Sequence, residues 1–114
     1  MDILLILNDP PYGTERSYNG LRLAKALLGK GTRVTVFLMA DAVACAKAGQ
    51  KVPDGYYNLG LMAQSVARRG EVLLCGTCMN ARGIGDAELV DGARRSTLDE
   101  LAERTAGAGK VLVF

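Results

Sequence analysis

Short apolar runs recur along the chain, and each is followed by a segment whose apolar residues have helical spacing. Residues 3–7 are consecutive branched apolar residues bounded by turn residues, a pattern typical of a strand buried on both faces. Residues 33–39 are rich in β-branched and aromatic side chains, which also favour a strand. Strands are therefore predicted at residues 3–7, 33–39, 71–74 and 110–114.

Apolar residues between these strands recur every three or four positions, which indicates amphipathic helices. Helices are predicted from residue 12 or 14 to 28, and over residues 41–48, 57–69 and 97–106. Asp41 is the predicted N-cap of the second helix, and Thr97 with Glu100 forms a capping box that opens the last one. Residues 86–96 are harder to interpret, since 88–90 fit one helical turn and 93–95 fit a short strand.

The alternation of strands and helices predicts an α/β fold. Crossover connections give a mostly parallel sheet, so we expect a three-layer sandwich of four or five strands with helices on both faces. A chain of 114 residues is the size of one ordinary domain of about 100–150 residues, and we expect a single domain over residues 1–114.

Composition and charge argue against two classes of binding partner, nucleic acids and membranes. The net charge of +2 is close to neutral and Arg68-Arg69 and Arg94-Arg95 are isolated pairs, which argues against direct nucleic-acid binding. No apolar run approaches the roughly 20 residues that span a bilayer, so no membrane partner is expected. Three cysteines are an odd number for a disulfide framework, which favours a reducing, cytoplasmic setting.

Two cysteines, Cys75 and Cys78, follow the predicted strand at residues 71–74. The chain has no histidine, so a thiol is its best candidate for chemistry near neutral pH. Backbone N–H groups at a strand end favour the thiolate, which is the nucleophilic form, and Arg82 adds positive charge nearby. Free cysteines are often merely buried, and that interpretation is preferred for Cys45, which lies among alanines.

Zinc binding and thioredoxin-type chemistry are the alternatives for Cys75-x-x-Cys78. A structural zinc site needs four ligands, and only Cys45 remains in a chain without histidine, so no metal is predicted. In thioredoxin-type proteins the motif opens a long helix, whereas here Gly83 and Gly85 interrupt the segment. The spacing therefore argues against that arrangement but leaves dithiol chemistry open.

The loop after the first strand is the second candidate region. Strand-to-helix loops on this side of a parallel sheet gather around the ligand crevice. The loop lacks the glycine patterns of nucleotide-binding loops, and a purely structural turn capped by Thr14 is an equal alternative. The candidate binding residues here are Asn8, Pro11, Tyr12, Gly13 and Thr14.

The chain resembles the DsrE/DsrF-like family, which includes TusD-like sulfur-relay subunits and YchN-like proteins. The resemblance rests on residues 11–14 after the first strand, the helix at 21–28, and residues 72–75 leading to Arg82-Gly83-Ile84. It implies a five-stranded α/β fold, assembly into homotrimers or homohexamers, and a cysteine that carries sulfur as a persulfide. By its offset from Arg82, that cysteine corresponds to Cys75. Cys78 lies outside the relay subunit's pattern.

The resulting hypothesis is a sulfur carrier, or sulfurtransferase-like protein, that holds a persulfide on Cys75 and needs no cofactor. Arg82 and backbone donors near Gly76 and Gly83 would stabilise the anionic sulfur. Sulfur donor and acceptor proteins, or small persulfides, are the expected partners. The sequence leaves open a dithiol/disulfide switch that uses Cys75 and Cys78, a non-catalytic oligomeric binding subunit, and whether the protein is an enzyme at all.

Overall fold

A five-stranded parallel sheet forms the centre of the computed structural model, which describes residues 2–114. The strands are β1 (Asp2–Leu7), β2 (Arg33–Leu38), β3 (Glu71–Cys75), β4 (Ala93–Ser96) and β5 (Lys110–Val113). Their order across the sheet is β4-β3-β2-β1-β5, and every neighbouring pair is parallel. The predicted α/β fold is confirmed, including the short strand within residues 86–96.

Four helices connect the strands: α1 (Arg16–Gly29), α2 (Leu59–Arg69), α3 (Gly76–Ala81) and α4 (Leu98–Gly107). Asn58 caps α2 by accepting a hydrogen bond from the Leu61 N–H, and Thr97 caps α4 in the same way through the Glu100 N–H. The Glu100 carboxylate does not complete the capping box, because it binds Arg94 and Ser96 instead. None of the helices described in residues 2–114 is long and apolar enough to cross a membrane.

The predicted helix at residues 41–48 is wrong in type. The segment forms a 3-10 helix over Ala40–Ala46, and Asp41 lies in its first turn rather than at the N-cap. Met39 is extended and Ala40 takes a positive φ of 51°. The chain therefore turns directly from β2 into the helix, which leaves Met39, rather than Asp41, at the N-cap.

The two faces of the sheet are covered unequally. Alternate residues of the central strands pack beneath α1 and α2, in a core that includes Leu5, Val36 and Leu74. The opposite face, which we call the α4 face, has a smaller buried core of Leu4, Phe37, Leu73 and Leu101. On this face Val113, which pairs with Ile6 in the register, is 67% exposed. Part of the α4 face is therefore apolar and uncovered in the single chain.

A network of ion pairs crosses the α4 face. Arg104 binds the carboxylates of both Glu71 and Glu100, and Glu100 also accepts hydrogen bonds from Arg94 and Ser96. These charged and polar partners lower the pKa of Glu100 to about 2, with the Arg94 hydrogen bond as the largest cause. Arg94 thus joins β4 to α4.

Glu100→Gln is expected to remove the stabilisation that this network provides above the ordinary carboxyl pKa. Because the folded-state pKa is depressed, the stabilisation is present at neutral pH and is lost as the pH falls from about 4.5 to about 2. We expect the variant to lower the free energy of unfolding by about 1–2 kcal/mol at neutral pH, and by progressively less in acid. Urea denaturation across this pH range measures the difference. Glu103→Gln, on the exposed side of the same helix, is the control; equal pH profiles for the two variants would contradict the assignment.

Candidate functional site

Cys75 lies at the junction of a strand and a helix. It is the last residue of β3, pairs with Ser96 of β4 in the register, and is the N-cap of α3. As the N-cap, its sulfur accepts a hydrogen bond from the Cys78 N–H at 3.4 Å. The sequence correctly placed this thiol at the carboxyl end of a buried strand, and its side chain is on the α4 face, where it contacts the smaller core.

Gly76 allows α3 to begin close to the edge strand β4. A Cβ atom at this position would be 3.1 Å from the Ser96 carbonyl oxygen and 3.2 Å from the Arg95 side chain. The Gly76 carbonyl accepts a hydrogen bond from Arg95 at 3.1 Å, and Arg95 also binds Asn80 of α3 and Asp86. Arg95 therefore fixes the short helix against β4, which positions the two thiols.

Cys78 is held from the opposite side by the turn after β2. Its sulfur accepts a hydrogen bond from the Ala40 N–H at 3.2 Å. Ala40 has a φ of 51°, in the left-handed region that alanine rarely adopts and that costs about 1–2 kcal/mol. Cys78 packs against the core beneath α1 and α2, whereas Cys75 packs on the α4 face. The two thiols thus reach different faces of the sheet from one helical turn.

The pKa of the Cys75 thiol is raised above its ordinary value. Burial is the largest cause, followed by the neighbouring Cys78 side chain, and these effects outweigh the Cys78 N–H, which favours the thiolate. The net direction is opposite to the one that the strand-end position suggested. Burial also raises the pKa of Cys45 to about 12, and that residue is fully buried. The prediction that Cys45 packs in the core is confirmed, and all three cysteines are unpaired.

Arg82 follows α3 and contacts the backbone of the thiol pair. Its Nη1 donates to the Cys78 carbonyl at 3.1 Å, while its Nε and Nη2 bind the Asp41 carboxylate at 3.0 and 2.9 Å. The guanidinium charge is therefore matched by Asp41 in the single chain. Gly83 has a φ of 66°, which suits a glycine, and its N–H donates to the Asn80 carbonyl. The predicted sulfur-stabilising roles of Arg82 and of the Gly83 backbone stay predictions.

The loop at residues 8–14 is tied to neighbouring elements rather than to Cys75 or Cys78. Asn8 binds the Phe114 carbonyl beyond β5, and Thr14 donates to Asp9 and accepts from the Arg16 N–H ahead of α1. The Tyr12 hydroxyl donates to Gln50 and accepts from the Leu59 N–H of α2. Gly13 lies against Pro10, where a Cβ atom would be 2.8 Å from the proline ring. Pro11 lies in the same turn. The binding role predicted for these residues stays a prediction.

Sequence reasoning missed the contribution of Ala40 and Asp41 to the thiol region. These residues are far from Cys78 in the chain, and only the pairing of β2 with β3 brings the two segments together. It also missed a tyrosine stack, in which Tyr57 is 3.9 Å from Tyr18 and 6.2 Å from Tyr12 between ring centroids.

Four surface cavities of about 210 to 390 Å³ are lined by residues other than Cys75, Cys78 and Arg82. Residues 2–114 contain no group of three or more His, Cys, Asp or Glu side chains that could hold a metal ion.

Alkylation of the native protein is expected to separate the three thiols. Cys75 and Cys78 are partly exposed and should react, whereas buried Cys45 should react only after unfolding. Since the Cys78 side chain raises the pKa of Cys75, Cys78→Ala should shift the pH midpoint of Cys75 alkylation downward. Peptide-resolved mass spectrometry after a timed exposure to iodoacetamide measures both effects. Alkylation of Cys45 as fast as that of Cys75 would contradict this description of the site.

Comparisons with known proteins agree in fold and in family. The model of the DsrE/DsrF-like family matches residues 1–114. The chain is 41% identical over 114 residues to protein YchN of Escherichia coli (strain K12), an alignment that covers 98% of this chain and 97% of that protein. It is 34% identical over 113 residues to an uncharacterised protein of Methanopyrus kandleri, covering 98% of this chain and 93% of that protein.

Solved structures show the same architecture. The crystal structure of the YchN protein from E. coli matches with a TM-score of 0.92 and 42% identity, over 100% of this chain and 99% of that chain. A protein of unknown function from Methanobacterium thermoautotrophicum matches with a TM-score of 0.74 and 14% identity, over 97% and 96% of the two chains. At that identity the second match shows the fold alone.

Proposed function

This chain belongs to the DsrE/DsrF-like family, and on that premise we propose that it is a sulfur carrier with its persulfide on Cys75. The observation that carries the proposal is the position of Cys75 as the N-cap of α3, with a partly exposed sulfur that accepts a backbone N–H. A persulfide held there would present its outer sulfur to an incoming thiol, while the strand and the helix would fix its inner sulfur.

Two displacement steps describe the transfer. In the first, the Cys75 thiolate attacks the outer sulfur of a donor persulfide, forms a new S–S bond, and expels the donor as a thiolate. In the second, an acceptor thiolate attacks the outer sulfur on Cys75, and Cys75 leaves as the thiolate. Each step exchanges one S–S bond for another, so no cofactor, oxidant or reductant is required. The donor is a protein or small molecule that carries a persulfide, and the acceptor is one that carries a thiol.

The electrostatics of the single chain leave part of the site to be completed. Burial and Cys78 raise the pKa of Cys75, which lowers the fraction of thiolate near neutral pH. The Cys78 N–H provides one hydrogen bond to anionic sulfur. We propose that Arg82 further stabilises the anionic sulfur when a donor or a second subunit competes for Asp41, its present partner.

Three unpaired thiols suit a reducing compartment such as the cytoplasm.

Self-association would cover the apolar part of the α4 face and would place a second subunit near Cys75. Cys75 packs on this face, and Val113 and Val111 at its β5 edge are 67% and 37% exposed. We therefore propose a homotrimer or homohexamer in which this face contributes to the subunit contact.

Val113→Glu is expected to weaken that assembly, since it would bury a carboxylate in an apolar contact. Sedimentation velocity should show the wild type as an oligomer and the variant shifted toward the monomer. Leu61→Glu is the matched control, because Leu61 is 63% exposed on α2, away from the α4 face. A monomeric wild type, or an unchanged Val113→Glu oligomer, would contradict the proposed contact.

Intact-protein mass measured at once after removal of a persulfide donor tests the carrier itself. The wild type and Cys45→Ala should gain one or more sulfur atoms, removable by reductant, and Cys75→Ser should gain none. A loss of two hydrogens in the wild type and in Cys45→Ala, with no sulfur gained, would favour the dithiol/disulfide switch. The supporting observation for that switch is the hydrogen bond from the Cys78 N–H to the Cys75 sulfur. No mass change in any variant would favour a non-catalytic oligomeric binding subunit.

A further inference from the structure

The second thiol is placed to act on the first. Cys78 follows Cys75 by one helical turn, and its N–H already contacts the Cys75 sulfur at 3.4 Å. The Cys78 side chain is also close enough to raise the pKa of the Cys75 thiol. Residues three apart on a helix are neighbours, and the Cys-x-x-Cys spacing at a helix start permits a disulfide. The Cys75 sulfur is therefore within reach of Cys78 without rearrangement of the sheet.

A persulfide on Cys75 would have two sulfur atoms, and the structure distinguishes them. The inner atom is the Cys75 sulfur itself, which stays beside Cys78. The outer atom extends about 2 Å farther along a new S–S bond. Cys75 packs on the α4 face and Cys78 packs against the opposite core. An outer sulfur that extended along the α4 face would therefore point away from Cys78, which is the arrangement that a displacement at the inner sulfur requires.

The Ala40 N–H holds the Cys78 sulfur in place. It donates to the Cys78 sulfur at 3.2 Å from a turn in which Ala40 has a φ of 51°. This hydrogen bond fixes the position of the Cys78 sulfur at the start of α3. Arg82 binds the carbonyl of the same residue at 3.1 Å, which helps to fix the end of the thiol pair.

We infer that Cys78 is a resolving thiol that cleaves the persulfide on Cys75 and releases hydrosulfide, an inference that rests on the proposed function. The Cys78 thiol gives its proton to solvent and the thiolate attacks the Cys75 sulfur. A Cys75–Cys78 disulfide bond forms, the bond to the outer sulfur breaks, and that sulfur leaves as hydrosulfide with its own proton. The two cysteine sulfurs are oxidised to the disulfide, and the outer sulfur is reduced to sulfide. One turnover needs no other oxidant or reductant.

This step gives the protein a second outlet for bound sulfur. An acceptor thiolate removes the outer sulfur and returns Cys75 as a thiolate, whereas Cys78 removes it as hydrosulfide and leaves a disulfide. The second outlet stops after one turnover until a thiol reductant cleaves the disulfide. Which product forms depends on whether an acceptor reaches the outer sulfur before Cys78 reaches the inner one.

Hydrosulfide release from loaded protein tests the inference. Wild type, Cys78→Ser, Cys78→Ala and Cys45→Ala are loaded with inorganic polysulfide, freed of donor by rapid gel filtration, and diluted so that encounters between molecules are slow. Intact mass and dissolved hydrosulfide are followed without added reductant. The wild type and Cys45→Ala should release hydrosulfide in equal amount to the disulfide formed. Both Cys78 variants should keep the added sulfur about tenfold longer or more, because the neighbouring nucleophile is gone.

The outcomes separate this inference from the function on which it rests. If the wild type keeps its persulfide as long as Cys78→Ser does, or both release hydrosulfide at the same rate, the resolving role is wrong and the carrier stands. If neither Cys78→Ser nor Cys78→Ala gains sulfur although circular dichroism shows both folded, the carrier on Cys75 is wrong and the inference is lost with it.

Discussion

The parallel pairing of β2 with β3 is the constraint on which the thiol region depends. In this register Leu38 is opposite Leu74, so the turn after β2 begins where β3 delivers Cys75. That alignment brings the Ala40 N–H to the sulfur of Cys78, although 38 positions separate the two residues in the chain. It also places Asp41 beside Arg82. A shift of the register would separate these groups, and the Cys75-x-x-Cys78 turn would lose its contact with Ala40.

The unequal covering of the sheet links the fold to the proposed assembly. The core beneath α1 and α2 is extensive and contains the fully buried Cys45, which is thereby removed from chemistry. The α4 face has a smaller core, an ion-pair network around Glu100, and exposed valines on β5. Cys75 packs on this less covered face. A subunit placed there would bury apolar surface and, in the same contact, complete the surroundings of the sulfur.

Much of the fold could be predicted because the strands are short apolar runs and the helices have apolar residues at helical spacing. The strands at β1, β2, β3 and β5, the cap at Thr97 and the position of Cys75 are all local patterns. The segment at residues 41–48 was mispredicted, because its alanine-rich composition does not encode the positive φ of Ala40 or the 3-10 geometry that follows. The capping box was half right, because Glu100 exchanges a local backbone bond for Arg94 and Ser96 of β4.

The candidate site likewise has some features that the sequence could predict and others that depend on tertiary contacts. The thiol pair could be recognised from its spacing and from the absence of other neutral-pH chemistry, since both are properties of the sequence. The raised pKa of Cys75 could not, because it depends on burial and on a neighbouring side chain. Nor could the pairing of Arg82 with Asp41, a contact between segments 41 residues apart. Local sequence thus identifies the candidate thiols, and tertiary contacts determine the direction in which the pKa of Cys75 is shifted.

Peptide mapping of the sulfur-loaded protein is the most direct measurement of the central claim. The protein would be treated with a persulfide donor, blocked at once with an alkylating reagent, digested, and examined for the cysteine that carries the added sulfur. We expect Cys78→Ser to carry the added sulfur on Cys75 as an alkylated persulfide. We expect the wild type to show the same peptide, or, where Cys78 has already released the sulfur, a Cys75–Cys78 disulfide. Added sulfur on Cys78 or Cys45, with Cys75 recovered only as an alkylated thiol, would contradict the central claim.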